Sequence, residues 1–396
     1  MEVLRAKTIP ILLAFLGLLA LAQGSGPSCL GGEGAAPPPF HPGTKPSGYD
    51  PEGRGPHAVG VRHYAFEDAE RWQVWGLRPR QLPTTVWYPA VAGSGRTNTL
   101  GDLIGELPGW GDKAIDLVYG AEASTLLAKE TTARIDAAPL SRSEPWPVII
   151  FSHGNTAVRF QNYTLCEHLA SHGFIVASAD HYDNAIFVAD ADQATLFNPV
   201  TNLTTLLQRP RDIEFLYEQL HQLDSGELPD LELSAIGLTG HSYGGVTSLL
   251  AGVRYEFVAA IAPIDPVRVT ELPSSFAKPY LLIQSAEDTI CKLVGNSNVR
   301  VLEDFEACAA PLKVWLNLFR AGHYTPTDAC SLLPPSLTGV VPDCGPDLLP
   351  PATANLMIDA YLTAFFQAVL TDNTAAIDFL RSNHYPVYLD HAFRDR

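Results

Sequence analysis

Residues 236 to 245 read Ile-Gly-Leu-Thr-Gly-His-Ser-Tyr-Gly-Gly, an apolar run that ends in a serine held between two glycines at G-x-S-x-G spacing. Gly240 and Gly244 allow a sharp turn from strand to helix, and such a turn leaves the Ser242 hydroxyl standing at a helix N-terminus. The same spacing occurs in glycine-rich turns with an incidental serine. Here an apolar strand precedes it and small residues lead into a helix, which is the context a nucleophile needs. A serine hydroxyl is a weak nucleophile near neutral pH, so it requires a base and a third group that orients the base.

The base is expected downstream. His323, in Arg320-Ala321-Gly322-His323-Tyr324, follows the last apolar strand pattern, whereas His153, His181, His241, His384 and His391 have no such placement. Two carboxylates compete as the orienting acid. Asp288 follows the run Tyr280 to Gln284, and Asp265 follows the run Phe257 to Ala262. Asp288 is the first choice, and Asp265 stays open as the alternative. Acyl transfer also needs donors aimed at the developing oxyanion. The backbone amide of Tyr243 follows the nucleophile, and that of Asn155, in Phe151-Ser152-His153-Gly154-Asn155, is the expected second donor.

These groups need elements to hold them. The strand candidates are Thr84 to Tyr88, Val148 to Phe151, Phe174 to Ser178, Ile236 to Thr239, Phe257 to Ala262, Tyr280 to Gln284 and Val314 to Leu318. Their nearly unbroken apolar character suits strands covered on both faces. Helical patterns lie between them at Thr164 to His172, Asp212 to Leu223 and Gly245 to Gly252, with a last one from Thr353 to Val369. Pro210 is expected in the first turn of the second of these, where a proline is tolerated. Such alternation predicts an α/β fold with a mostly parallel central sheet and helices on both faces. Residues 100 to 140 and 183 to 208 fit the alternation poorly and read as flaps or surface excursions.

The chain has 396 residues, is 46% apolar, and carries 43 acidic against 26 basic side chains for a formal net charge of −17. That charge disfavours nucleic acid and anionic lipid headgroups as partners. The start of the chain, with Arg5, Lys7, an apolar run from Ile9 to Ala22 and the small-residue site Ala20-Leu21-Ala22, has the form of an export signal. Residues 1–22 are therefore expected to be removed before Gln23, residues 23–56 to form a Pro/Gly-rich linker, and residues 57–396 to form one catalytic domain. No later segment reads as membrane-spanning, and a secreted or periplasmic monomer is expected. Export makes disulfides plausible chemistry for the six cysteines, and closeness in sequence pairs Cys291 with Cys308 and Cys330 with Cys344, leaving Cys29 for Cys166. No cofactor or metal constellation stands out. Asp183, Asp190 and Asp192 read as solvated surface, and Asn162 and Asn202 begin glycosylation sequons.

Taken together, Thr85-Val86-Trp87-Tyr88-Pro89, Phe151-Ser152-His153-Gly154, Gly240-His241-Ser242-Tyr243-Gly244-Gly245 and Ala321-Gly322-His323-Tyr324, with Arg209-Pro210 and Asp212-Ile213 opening a helix, resemble the α/β-hydrolases grouped with plasma-type platelet-activating factor acetylhydrolases and dienelactone-hydrolase-like serine esterases. The resemblance implies the α/β-hydrolase fold over about residues 57 to 380 and carboxylic ester hydrolysis. It also implies Ser242 as nucleophile, His323 as base, and the Asn155 and Tyr243 amides as oxyanion donors. The acetylhydrolase branch implies an acid at Asp265, and polyester hydrolases imply one at Asp288. Dienelactone hydrolases proper use cysteine, so Ser242 disfavours lactone chemistry. The expected substrate is a small-molecule, lipid or polymer ester. Amide or peptide hydrolysis by the same groups, or a catalytically silent fold used for binding, are the competing readings.

Overall fold

The apolar runs become the centre of one large sheet. A computed structural model describes residues 48–73, 78–105, 119–189, 194–196, 204–223, 227–334, 341 and 343–395. Thirteen strands are formed among the described residues: β1 (Ala58–Trp72), β2 (Pro79–Ala90), β3 (Arg96–Thr99), β4 (Glu130–Ile135), β5 (Trp146–Ser152), β6 (Ile175–Ala179), β7 (Phe187–Ala189), β8 (Ala194–Leu196), β9 (Leu231–His241), β10 (Val258–Ile264), β11 (Tyr280–Ser285), β12 (Leu312–Leu318) and β13 (Leu389–Asp395). Eleven of them form one sheet in the order β13-β12-β11-β10-β9-β5-β6-β2-β1-β4-β3, while β7 and β8 make a separate hairpin. The six strands from β6 to β12 run parallel, and antiparallel β2 and β13 flank them.

Alternation along each strand divides the core. In β5, Ile149 and Phe151 enter one apolar cluster, whereas Val148 and Ile150 enter the other. The helices that matter here are α1 (Tyr163–Ser171), α2 (Thr205–Leu223), α3 (Tyr243–Arg254), α4 (Thr289–Leu293), α5 (Ser297–Ala307), α6 (Pro351–Leu370) and α7 (Thr374–Leu380). Leu165 of α1, Phe365 of α6 and Phe379 of α7 cover the first face. Ile213 of α2, Ala251 of α3 and Phe305 of α5 cover the second. A parallel sheet requires this double cover, because both of its faces are apolar.

Several expectations need correction. By length and composition, α6 could cross a bilayer, contrary to the expectation that no later segment would. It is instead a core helix, with Met357, Ile358, Tyr361, Leu362, Phe365 and Phe366 buried. Pro210 lies inside α2 and not in its first turn, since the helix begins at Thr205. The buried side chains of Arg209 and Asp212 anchor this stretch from either side of the proline. Part of the expected linker is docked on the domain. Tyr49 Oη donates to Gln367 Oε1 at 2.7 Å, and the His168 and His172 rings donate to the Pro51 and Gly53 carbonyls at 2.9 and 2.8 Å.

Cysteine pairing also departs from sequence proximity. Cys330 and Cys344 are bridged, but Cys166, Cys291 and Cys308 are free and buried. Cys291 Sγ turns toward the Asp265 carbonyl, while Cys308, at the end of α5, turns toward the Phe305 carbonyl within the second apolar cluster. Cys29, the export segment, Asp190, Asp192 and Asn202 lie outside the described residues. Asp183 is not solvated surface, since it is buried beside Arg80. Nor does the Asn162 sequon present an accessible amide: the side chain is buried, and Nδ2 donates to the Pro326 carbonyl at 2.7 Å.

Candidate active site

The turn after β9 is strained in the way its glycines permit. Ser242 sits at φ 55° and ψ −116°, between the last residue of β9 and the first of α3. Holding a residue with a side chain at positive φ costs on the order of 1–3 kcal/mol, and such strain collects at functional sites. The Ser242 amide donates to Ile264 O at 2.8 Å and anchors the turn to β10. Glycine is required on both sides. A Cβ on Gly244 would lie 1.8 Å from Ser152 O, and one on Gly240 would lie 2.5 Å from the same atom.

Ser242 Oγ is 2.9 Å from His323 Nε2, and His323 Nδ1 is 2.7 Å from Asp288 Oδ2. With the carboxylate at Nδ1, the ring carries its proton there, and Nε2 accepts from the serine hydroxyl. Asp288 caps the N-terminus of α4, where its Oδ1 accepts from the Cys291 amide at 2.7 Å. Burial pushes the Asp288 carboxyl upward in pKa, but the hydrogen bond and charge of His323 and the Cys291 amide outweigh it and hold the group below the usual carboxylate range. His323 is fixed from its own loop as well, since its amide donates to Asp343 Oδ2 at 3.0 Å beside the Cys330–Cys344 bridge.

Asp265 does not bond to the base. Its two carboxylate oxygens accept from the Ser285 amide at 2.6 Å and the Ser285 hydroxyl at 2.7 Å. Burial and the neighbouring Asp288 push its pKa well above the usual range. The structure thus brings Asp288, and not Asp265, into hydrogen-bond contact with His323.

The two amides expected to face an oxyanion belong to Tyr243, next to Ser242 in the chain, and to Asn155, in the loop after β5. Among the described residues, neither the Asn155 nor the Tyr243 N–H donates to a protein acceptor, so both stay free for a ligand. A chain of hydrogen bonds joins this loop to the base. Gly154 N donates to Gln161 Oε1 at 2.7 Å, Gln161 Nε2 donates to His241 Nδ1 at 2.9 Å, and His241 Nε2 donates to His323 O at 2.7 Å. Burial, reinforced by His323, pulls His241 down to about 3, consistent with the neutral ring this pattern requires.

A second relay lies beneath. Ser152 Oγ is 2.8 Å from His181 Nε2, and His181 Nδ1 is 2.9 Å from Asp212 Oδ2. Asp212 also binds Arg80 and Arg71, and Arg209 Nη2 donates to Ser152 Oγ at 2.8 Å. His181, Gln161, Asn184 and Arg209 were not singled out for a role by sequence reasoning. Only the Arg209-Pro210 segment carried a signal, as one of the matching pieces.

A family model for platelet-activating factor acetylhydrolase, isoform II, matches residues 45–199, and one for chlorophyllase matches residues 134–287. A ferulic acid esterase from Streptomyces cinnamoneus superposes with a TM-score of 0.65 at 22% identity, over 85% of this chain and 96% of that one. The chain has the α/β-hydrolase fold. Among curated relatives, the chain is 28% identical over 286 residues to a platelet-activating factor acetylhydrolase of Cavia porcellus, covering 60% of the chain and 62% of that protein. It is 27% identical over 163 residues to the chloroplastic chlorophyllase-1 of Citrus unshiu, covering 41% and 45% respectively. The chain thus spans less than two thirds of the length of these curated relatives.

Proposed function

We propose that this chain hydrolyses carboxylic esters through an acyl-enzyme on Ser242, with His323 as general base, Asp288 as the orienting acid, and the Asn155 and Tyr243 amides as oxyanion donors. The observation that carries the reading is the unbroken Ser242–His323–Asp288 hydrogen-bond chain at a strained strand-to-helix turn. His323 Nε2 takes the proton as Ser242 Oγ attacks the ester carbonyl, and Asp288 stabilises the imidazolium that forms. The ring then returns the proton to the departing alkoxide. Water enters by the same route, deprotonated by His323, and releases the acid and the free serine.

The acetylhydrolase, chlorophyllase and ferulic acid esterase likenesses support an ester substrate and diverge on its alcohol and acyl parts. The test is a panel of p-nitrophenyl esters of rising chain length, together with a short-chain acyl phospholipid and an aromatic polyester, alongside fluorophosphonate labelling. Turnover of at least one ester with label on Ser242 is expected. Labelled serine with no ester turned over would shift the reading to amides, and a folded chain that takes no label would leave only a binding role.

The same proposal places the protein outside the cytoplasm. The apolar run from Ile9 to Ala22 and the Cys330–Cys344 bridge both support export. N-terminal sequencing of the mature protein is expected to begin at Gln23, and a retained Met1 on soluble protein overturns the export reading.

A further inference from the structure

Arg209 is fully buried, yet among the described residues no carboxylate forms an ion pair with it. Its guanidinium is spent on neutral groups instead. Nη1 donates to Asn184 Oδ1, and Nη2 donates to Ser152 Oγ and the His153 carbonyl. Asn184 Nδ2 in turn donates to Asn155 Oδ1 at 2.6 Å. On its other side the guanidinium carbon lies 5.2 Å from the centre of the Tyr243 ring, whose hydroxyl is held at 2.9 Å by Thr205 of the same helix as Arg209. A single buried cation therefore touches, directly or through one amide, both residues expected to supply oxyanion donors, whose backbone N–H groups donate to no protein acceptor among the described residues.

Leaving a buried guanidinium without a carboxylate is unfavourable for folding, because desolvation is not offset by a direct partner. The arrangement becomes intelligible if negative charge appears nearby during turnover. Fixed dipoles and charges aimed at a developing oxyanion in a dry site are worth more than they would be in water, and they need no reorganisation at the moment of reaction. Burial pulls the guanidinium pKa down to about 9, which still leaves it charged at neutral pH. We propose that Arg209 and Asn184 are positioning residues for the oxyanion hole: Arg209 aligns the Asn155 loop through Asn184, packs over Tyr243, and supplies the positive field behind both amides. The proposal rests on the esterase reading.

The test uses Asn184→Leu, Arg209→Lys and Arg209→Met in the full chain, with kcat and KM measured separately on a p-nitrophenyl ester. Inhibition by a trifluoromethyl ketone, whose adduct with Ser242 carries the oxyanion, supplies a readout that mere loss of stability does not move. Asn184→Leu is expected to lower kcat about 10-fold with KM within about twofold, and Arg209→Met to lower it about 10²-fold, the scale of losing an oxyanion donor. Arg209→Lys, which keeps the charge and loses the fork, falls between them. Affinity for the ketone should fall in parallel with kcat/KM across the series. If Arg209→Met does not fold, the other two variants decide. A kcat within about twofold of wild type in both Asn184→Leu and Arg209→Lys, or a loss confined to KM with ketone affinity unchanged, overturns the proposal alone. A wild-type chain whose Ser242 takes no fluorophosphonate overturns the esterase reading and this proposal with it.

Discussion

Two Ser–His–Asp relays lie within this sheet, and their pairwise distances are nearly the same. In one, Ser242, His323 and Asp288 are joined at 2.9 and 2.7 Å; in the other, Ser152, His181 and Asp212 are joined at 2.8 and 2.9 Å. Their surroundings differ in ways that distance does not report. Ser242 is held at positive φ, and the Tyr243 amide that follows it donates to no protein acceptor among the described residues. Ser152 is the last residue of a regular strand, is 1% exposed, and accepts a hydrogen bond from the Arg209 guanidinium. That donor engages one of the hydroxyl lone pairs and so makes Ser152 a poorer nucleophile. Asp212 serves two arginines besides its histidine, whereas Asp288 serves its histidine and one helix N-terminus. Relay geometry is therefore necessary for nucleophilic catalysis and insufficient for it. Backbone strain and a hydroxyl not shared with a guanidinium distinguish the relay proposed to be catalytic from the other.

The largest effects should fall on one relay only. Ser242→Ala is expected to remove up to about 10⁶ of turnover and all fluorophosphonate labelling, by analogy with loss of the serine in other triads. Ser152→Ala should keep the label on Ser242 and lose no more than about 10-fold, the cost of one buried hydrogen bond. Label or acyl adduct found on Ser152 would reverse the assignment. One step smaller is the acid. Asp288→Asn should cost about 10⁴ in kcat by fixing the wrong tautomer of His323. Asp265→Asn should cost far less, since Asp265 bonds Ser285 and not the base; equal losses from the two would show that both carboxylates serve the imidazole.

Much of this contrast was legible before the structure, though only on one side of it. Ser242, His323 and Asp288 each follow an apolar strand, so a one-dimensional pattern locates them. Strands β5, β6 and β9 to β12 are readable for the same reason: they are apolar on both faces. Strand β1 alternates exposed and buried residues through Glu67, Asp68, Glu70 and Arg71, and β13 is largely polar, so strands with a polar face hide from a search for apolar runs. Helix α5 hides too, with Ser297, Val301 and Phe305 as its buried stripe among charged neighbours. The second relay was invisible because Ser152, His181, Asn184, Arg209 and Asp212 come from separate segments whose meeting depends on the whole fold. The pairing of Cys291 with Cys308 failed for a related reason, since nearness along the chain does not set the direction of a side chain.

The relays should also differ in what they hold together. Asp212→Asn removes a carboxylate that Arg71 shares with Asp68 and Arg80 with Asp183, and breaking a buried pair in this way typically costs up to about 3–5 kcal/mol. Denaturant unfolding should show that loss, with the fluorophosphonate label on Ser242 retained in the folded fraction. Unchanged stability would mean that the arginines find other partners. Next in size is the Cys330–Cys344 bridge, which closes a loop with a sequence separation of 14 and carries Asp343 to the His323 amide. Replacing both cysteines by alanine should cost about 3 kcal/mol on loop entropy and lower kcat by loosening the base loop. A stability loss with kcat intact would confine the bridge to a structural role.

The smallest expected effect is a slope. Burial, with Arg209 nearby, pulls His181 down to about 3, and burial with His323 nearby does the same to His241. Each ring is neutral in the folded chain and free to take a proton near its ordinary 6.5 once unfolded. Between these values the unfolded state binds more protons, so stability is fully present above pH 6.5 and is lost as pH falls toward about 3. Each group adds up to about 1.4 kcal/mol per pH unit within that window. Unfolding free energies measured at several pH values from 7 to 4 should therefore decline with acid, and His181→Gln or His241→Gln should each flatten the decline. Because the depression arises from burial and not from catalysis, the two variants should flatten it alike, although only His241 borders the Ser242 relay. A wild-type curve that stays level from pH 6.5 to 4.5 would show that neither ring is held neutral. A change in slope from His241→Gln alone would show that the second relay already carries its proton, with Asp212 and not burial governing His181.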